Sequence, residues 1–71
     1  MQNQINIICH LAEILKDHGI SQNGLARMTG LTQPAICDLC LNKKLPYLHT
    51  AYTIADALSV PVQAIWEEVK Q

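Results

Sequence analysis

The sequence predicts an all-α fold, with five short helices packed as a single domain over residues 1–71. Apolar residues recur three and four positions apart, which is the period of a helix with one buried face. Residues that begin or end helices stand between these apolar stretches. No segment alternates with a period of two, and no hairpin turn joins two such segments, so no strand is expected. The predicted helices span residues 4–18, 22–28, 33–41, 50–58 and 62–68.

Composition excludes several other classes of protein. With 49% hydrophobic and 15% charged residues, the chain is not a disordered tail. No apolar run approaches the roughly 18 residues that span a bilayer, so no membrane association is expected. The opening Met-Gln-Asn-Gln lacks the basic start of a secretory signal, and the three cysteines are an odd number. We therefore expect a cytoplasmic protein without a disulfide framework.

The first two helices have clear ends. Ile7, Leu11 and Ile14 share one face of the first helix, and Gly19 can end it in the left-handed conformation. Ser21 can cap the second helix by accepting a backbone N–H.

The later helices carry similar signals. Thr32 can cap the third helix, and Pro34 fits its first turn, where a missing N–H does no harm. Asn42 can close it, since Asn tolerates the left-handed region. Ala51, Ile54, Ala55 and Leu58 form the apolar stripe of the fourth helix, and the fifth opens at Pro61.

The second and third helices are separated by a very short turn, so they must cross at a steep angle. Ala26 is small enough to stand where the two helices touch, and Gly30 permits the unusual φ of the turn. Ile36 and Leu39 would fill the wedge between them. The start of the third helix would then project from the body.

These residues carry a resemblance to a known family. The stretch 20–32, Ile-Ser-Gln-Asn-Gly-Leu-Ala-Arg-Met-Thr-Gly-Leu-Thr, resembles the second helix and turn of helix-turn-helix domains of the lambda-repressor and Cro type, the Xre family. Residues 46–66 resemble the fourth and fifth helices of that family. The resemblance covers about residues 8–66. It implies a small transcriptional regulator, a repressor or Cro-like protein, that binds double-stranded DNA with its third helix in the major groove.

The resemblance also implies a set of DNA-binding residues. Gln33 is the best candidate for reading a base, because its amide can pair with adenine. Gln22 is expected to contact a phosphate and to support Gln33. Asp38 would either accept from cytosine or be a solvated charge. The implied DNA-binding residues are Gln22, Asn23, Thr32, Gln33, Pro34, Cys37, Asp38, Lys43 and Lys44.

Charge is distributed unevenly along the chain. The formal net charge is −1, yet Arg27, Lys43 and Lys44 outnumber Asp38 within residues 21–50. Lys43 and Lys44 would lie near the phosphate backbone, or they form an ordinary solvated loop. The sparse positive charge suggests modest affinity for each domain, and hence reliance on a homodimer on DNA or on a second partner. The fifth helix and the acidic end are the expected dimer surface, with Trp66 as an anchor there or, more simply, as a core residue.

One departure from the family lies in the core. Members often carry an Arg in the first helix and a Glu late in the third, as a buried ion pair. Leu15 and Cys40 occupy those positions here, so both partners are apolar. We predict that their side chains touch.

Other functions have less support. Cys37-x-x-Cys40 places two thiols on one helix face, but a structural zinc site needs four ligands, so neither a metal nor another cofactor is expected. No catalytic residues are expected either, because the histidines and acids are scattered and the chain is short for a deep cleft. The main alternative is a protein-interaction or antitoxin-type module on the same fold, with a protein partner and with DNA binding secondary or absent.

Overall fold

The computed structural model describes residues 5–70, and within them the side chains of residues 6–69. The described part is mostly helical, with five helices and one two-stranded sheet, so the predicted fold class is confirmed. In chain order the elements are β1 (Ile5–Cys9), α1 (Leu11–His18), α2 (Gln22–Thr29), α3 (Gln33–Cys40), α4 (Leu48–Leu58), α5 (Val62–Ile65) and β2 (Trp66–Lys70).

The expectation that the chain has no strand was wrong. The first helix begins at Leu11, not at residue 4, which itself lies outside the described residues. The fifth helix ends at Ile65, not at residue 68. The segments on either side form β1 and β2, which pair antiparallel from Ile5 opposite Lys70 to Cys9 opposite Trp66. Three isoleucines explain why the β1 segment forms a strand and not a helix, because β-branched side chains are stiff at χ1 and favour strands.

The predicted helix caps are confirmed. The Ser21 hydroxyl accepts the Gly24 N–H at 2.9 Å, and the Thr32 hydroxyl accepts the Ala35 N–H at 3.3 Å. Gly19 ends α1 with φ of 67°, and Asn42 follows α3 with φ of 58°. These local hydrogen bonds satisfy groups that a helix end leaves without partners.

One core joins the five helices found within residues 5–70. Trp66, at the start of β2, is only 8% exposed, so the tryptophan is a core residue. The other buried residues are Leu11, Leu15, Leu25, Ala26, Ile36, Leu39, Ala51, Ile54, Ala55, Leu58 and Ile65. No helix within residues 5–70 is both long and apolar enough to cross a membrane.

Leu15 and Cys40 both belong to this core. Leu15 is buried, and the half-buried Cys40 packs against the same cluster. Direct contact between the two side chains stays a prediction. An apolar pair here avoids the cost of burying two charges.

Gly30 is the residue on which the turn between α2 and α3 depends. Its φ is 76°, and its N–H donates to the Ala26 carbonyl at 2.9 Å. A Cβ added there would meet nothing within 4 Å, so the penalty of a substitution is purely conformational. We expect Gly30→Val to lower the free energy of unfolding by about 1–2 kcal/mol. Urea denaturation followed by circular dichroism measures the change.

Gly30→Asn is the matched control, because Asn enters the left-handed region at lower cost. It should lose distinctly less stability than the Val variant. Equal losses for the two variants would contradict a conformational origin.

Candidate nucleic-acid interface

The α2–α3 unit positions the candidate interface. The two helices are separated only by residues 30–32, and the small Ala26 side chain is buried in the core beside them. Ile36 is fully buried and Leu39 is 4% exposed, so one face of α3 is fixed to the core. The other face begins with the exposed Thr32 and Pro34. The first turn of α3 is therefore held firmly and is open to a ligand.

Gln33 and Gln22 are joined at the front of this unit. The Nε2 of Gln33 donates to the Oε1 of Gln22 at 2.8 Å, and both side chains are half-buried. This bond fixes which way the Gln33 amide points. One N–H and the carbonyl oxygen of Gln33 still have hydrogen-bonding capacity, which is the donor–acceptor pair that the edge of an adenine requires.

The other predicted residues of the two helices lie on either side of this pair. Asn23 is exposed in the first turn of α2. Thr32 caps α3 and Pro34 is its second residue, so both stand at the open end of the helix. Cys37 is half-buried one turn further along α3. The structure thus brings five of the predicted side chains to the two helix starts and one to the following turn.

Asp38 has a cationic neighbour that the sequence did not reveal. The Nζ of Lys44 lies 3.8 Å from its Oδ2, and the side chains are 62% and 39% exposed, respectively. The Lys43 N–H donates to the Asp38 carbonyl at 3.0 Å, which ties the loop to the end of α3. An exposed pair at this distance is worth little stability, but it partly offsets the negative charge of Asp38.

Tyr47, for which the sequence gives no signal, is 78% exposed at the start of α4. Its ring stacks on His49, with centroids 6.2 Å apart and planes within 10°. A pocket between α3 and the following loop is lined in part by Ala35, Lys44 and Tyr47. Lone aromatic and small residues in a loop give no periodic signal, so only the folded chain places them beside α3.

Cys9 in β1 and the α3 residues Cys37 and Cys40 have free thiols, and all three are half-buried. Burial raises the pKa of the Cys9 thiol. Burial, together with the neighbouring Cys9 and Cys37 thiols, raises the pKa of Cys40 to about 11. Within residues 5–70, no three His, Cys, Asp or Glu side chains are grouped as metal ligands would be.

This pKa predicts an unreactive Cys40. At pH 8 only about one Cys40 thiol in a thousand is ionised, and the thiolate is the reactive form. We expect iodoacetamide to modify Cys40 far more slowly in the folded chain than in urea, with a midpoint of reactivity near pH 11. Peptide mass spectrometry after timed quenching measures both rates.

The same shift has a consequence for stability. The folded chain holds the Cys40 proton more tightly than the unfolded chain, so this contribution is fully present below the ordinary thiol pKa of about 8.5. It is lost as the pH rises from there towards about 11. Rapid modification of Cys40 in the folded chain at pH 8 would contradict both expectations.

Comparison with known proteins identifies a family for this chain. The family model described as the Cro/C1-type HTH DNA-binding domain matches residues 10–69, which include all five helices. The comparison with curated proteins gave no match.

Proposed function

The chain belongs to the Cro/C1-type helix-turn-helix family of DNA-binding domains, and on that basis we propose a sequence-specific transcriptional repressor or Cro-like regulator. It acts in the cytoplasm by binding double-stranded DNA, not by catalysis. Helix α3 enters the major groove with its first turn at the base edges. The observation that carries this proposal is the Gln33–Gln22 hydrogen bond at the open front of α3, since it orients an amide as base recognition requires.

Phosphate contacts position the helix. In this proposal Gln22, Asn23 and Thr32 approach the backbone at the starts of α2 and α3, where N–H groups favour an anion. Pro34 and Cys37 make apolar contact with base edges. Lys43 and Lys44 lie beside the neighbouring phosphates, with Asp38 restrained by its pair with Lys44.

Two copies bind together in this proposal. One helix of eight residues reads only part of a site. A two-fold dimer presents two such helices about 34 Å apart, one turn of DNA. Because Trp66 is buried in the core, the dimer surface does not use it as an anchor.

The direct experiment is selection of bound duplexes from a random pool at low salt. We expect enrichment of a palindromic motif with two half-sites one helical turn apart. Enrichment of a single half-site would contradict the dimer but would leave sequence-specific DNA binding intact. No enriched motif would overturn DNA reading and favour a protein-interaction module.

The salt dependence of binding tests the two loop lysines. Replacing Lys43 and Lys44 with Ala should weaken binding to all sequences nearly equally, because phosphates carry no base information. The slope of log K against log salt should fall by about 0.9 for each phosphate contact removed. Fluorescence anisotropy between low and physiological salt gives the slope.

Lys16→Ala is the matched control, since Lys16 is exposed in the last turn of α1. The control should leave the slope unchanged. An unchanged slope in the double loop variant would show that these lysines are only solvated.

A further inference from the structure

The two-stranded sheet has an open edge on β1. Within the described residues β1 pairs only with β2, and no backbone hydrogen bond from a helix or loop reaches Asn6–Cys9. The strand contacts β2 far more than it contacts any helix. A row of N–H and C=O groups on such an edge is a template for another strand.

The features that normally protect an edge are missing from β1. Its five residues, Ile-Asn-Ile-Ile-Cys, include no charge and no proline. Ile8 is 44% exposed on the outer face of the sheet, where it stands opposite Glu67. In contrast, β2 carries Glu67, Glu68 and Lys70, so the two edges of the sheet differ sharply in charge.

The space beside β1 is open, with Asn42, Lys43 and Lys44 on its loop side and an apolar groove on its inner face. A gap lined by Asn6, Ile7 and loop residues 42–45 separates the strand from the α3–α4 loop. On the inner face, Ile7 adjoins a groove that includes Leu45 and Leu48, whose exposed fractions are 61% and 70%. A strand added at this edge would place alternate side chains over these two leucines.

We propose that the occupant is β1 of a second copy of this chain, which gives a four-stranded antiparallel sheet across a two-fold axis. An added β1 places Ile7 and Cys9 on the inner face, beside the exposed leucines, and brings no charge to the seam. An added β2 would instead place Glu68 there. Pairing of β1 with β1 is symmetric and closes as a dimer, whereas pairing of β1 with β2 leaves one free β1 edge and one free β2 edge, which can go on adding copies.

This inference rests on the proposed function, which requires a two-fold dimer. It identifies β1 as the surface that forms the dimer. The fifth helix and the acidic chain end, expected earlier as the dimer surface, are replaced by β1. Glu67 and Glu68 lie one strand away from the axis, where like charges of the two copies stay apart.

The test compares Ile8→Lys with Val69→Lys by sedimentation equilibrium. In the single chain Lys at position 8 faces Glu67, a favourable cross-strand pair, so folding should be kept. In the dimer two lysines meet near the axis, and the dissociation constant should rise by up to about fivefold, because like charges on neighbouring strands repel. Val69→Lys adds the same charge to β2 opposite Asn6, away from the axis, and should leave the dimer intact. Thermal melting checks that both variants fold.

Isotope-filtered NOE spectra of a mixed-label wild-type sample locate the contact. Intermolecular backbone NOEs between two β1 strands are the expected result. A monomeric wild-type chain, contacts only from α5 or β2, or equal weakening by the two lysine variants would overturn the β1 interface.

Binding to a single DNA half-site separates this inference from the proposed function. The Ile8→Lys chain should bind one half-site as the wild-type monomer does, because α3 is unchanged. If the wild type pairs through β1 but binds no half-site specifically, the function fails and the interface stands. If half-site binding is specific and the chain is monomeric, the interface fails and the function stands.

Discussion

Replacing Ile36 with Ala is expected to lower the free energy of unfolding by about 2–5 kcal/mol, the range for a large core side chain cut to Ala. Ile36 is fully buried in α3 and packs in the core shared with α2. A core in a chain of this size rarely supplies more than about 3–5 kcal/mol in total. Much of the variant should therefore be unfolded at 37 °C, as urea titration followed by circular dichroism would measure.

Two controls separate the cavity from other effects. Ile36→Val removes one methyl group and should cost only about 0.5–1.5 kcal/mol. Met28→Ala removes a large apolar side chain that is 52% exposed, and its effect should be smaller than that of Ile36→Ala. If Ile36→Ala cost no more than Met28→Ala, the wedge between α2 and α3 would not stabilise the fold.

The loss of stability should also weaken apparent DNA binding, because only the folded fraction of the variant holds α3 in place and can bind. DNA that binds only the folded state would restore part of the lost stability by mass action. Melting temperature should therefore rise with DNA concentration for Ile36→Ala.

The helices were predictable because their signals are local. The caps at Ser21 and Thr32 and the turns at Gly19 and Gly30 each depend on residues within four positions. Propensity, caps and apolar period agree there, so one answer satisfies all three.

The strands were not predictable from the same signals. β1 and β2 lie at opposite ends of the chain, and no short turn marks their pairing. The apolar residues of 5–9 fit a helix face as well as a strand, and His10 has no side-chain cap bond to mark the true start of α1. Only pairing with β2 decides between helix and strand, and that pairing is a long-range contact.

The candidate site was also predictable only in part. The resemblance implied the support of Gln33 by Gln22, and the structure shows the two amides bonded. The ion pair between Asp38 and Lys44 depends on the path of the loop after α3, and the exposed Tyr47 depends on where α4 begins. Loop geometry follows from packing more than from the identity of single residues.

Gln33→Ala is expected to relax specificity at one base pair in each half-site, at a cost of about 1–3 kcal/mol for the preferred base. The physical reason is the loss of the paired donor and acceptor that a Gln amide offers to adenine. Repeating the random-sequence selection and measuring affinity for every base at that position gives the result. Binding to nonspecific DNA should change little, because the phosphate contacts remain.

Gln22→Ala tests how Gln33 is held. Its hydrogen bond to Gln33 is lost, so the same base pair should lose part of its preference while the other positions keep theirs. Adding Gln22→Ala to Gln33→Ala should cause no further loss of base preference, because Gln33→Ala has already removed the amide that Gln22 orients. Gln63→Ala, an exposed glutamine in α5, is the matched control and should leave the motif intact. Because only Gln33 reads the base in this arrangement, additive losses from Gln22 and Gln33 at that base pair would mean that Gln22 reads it independently.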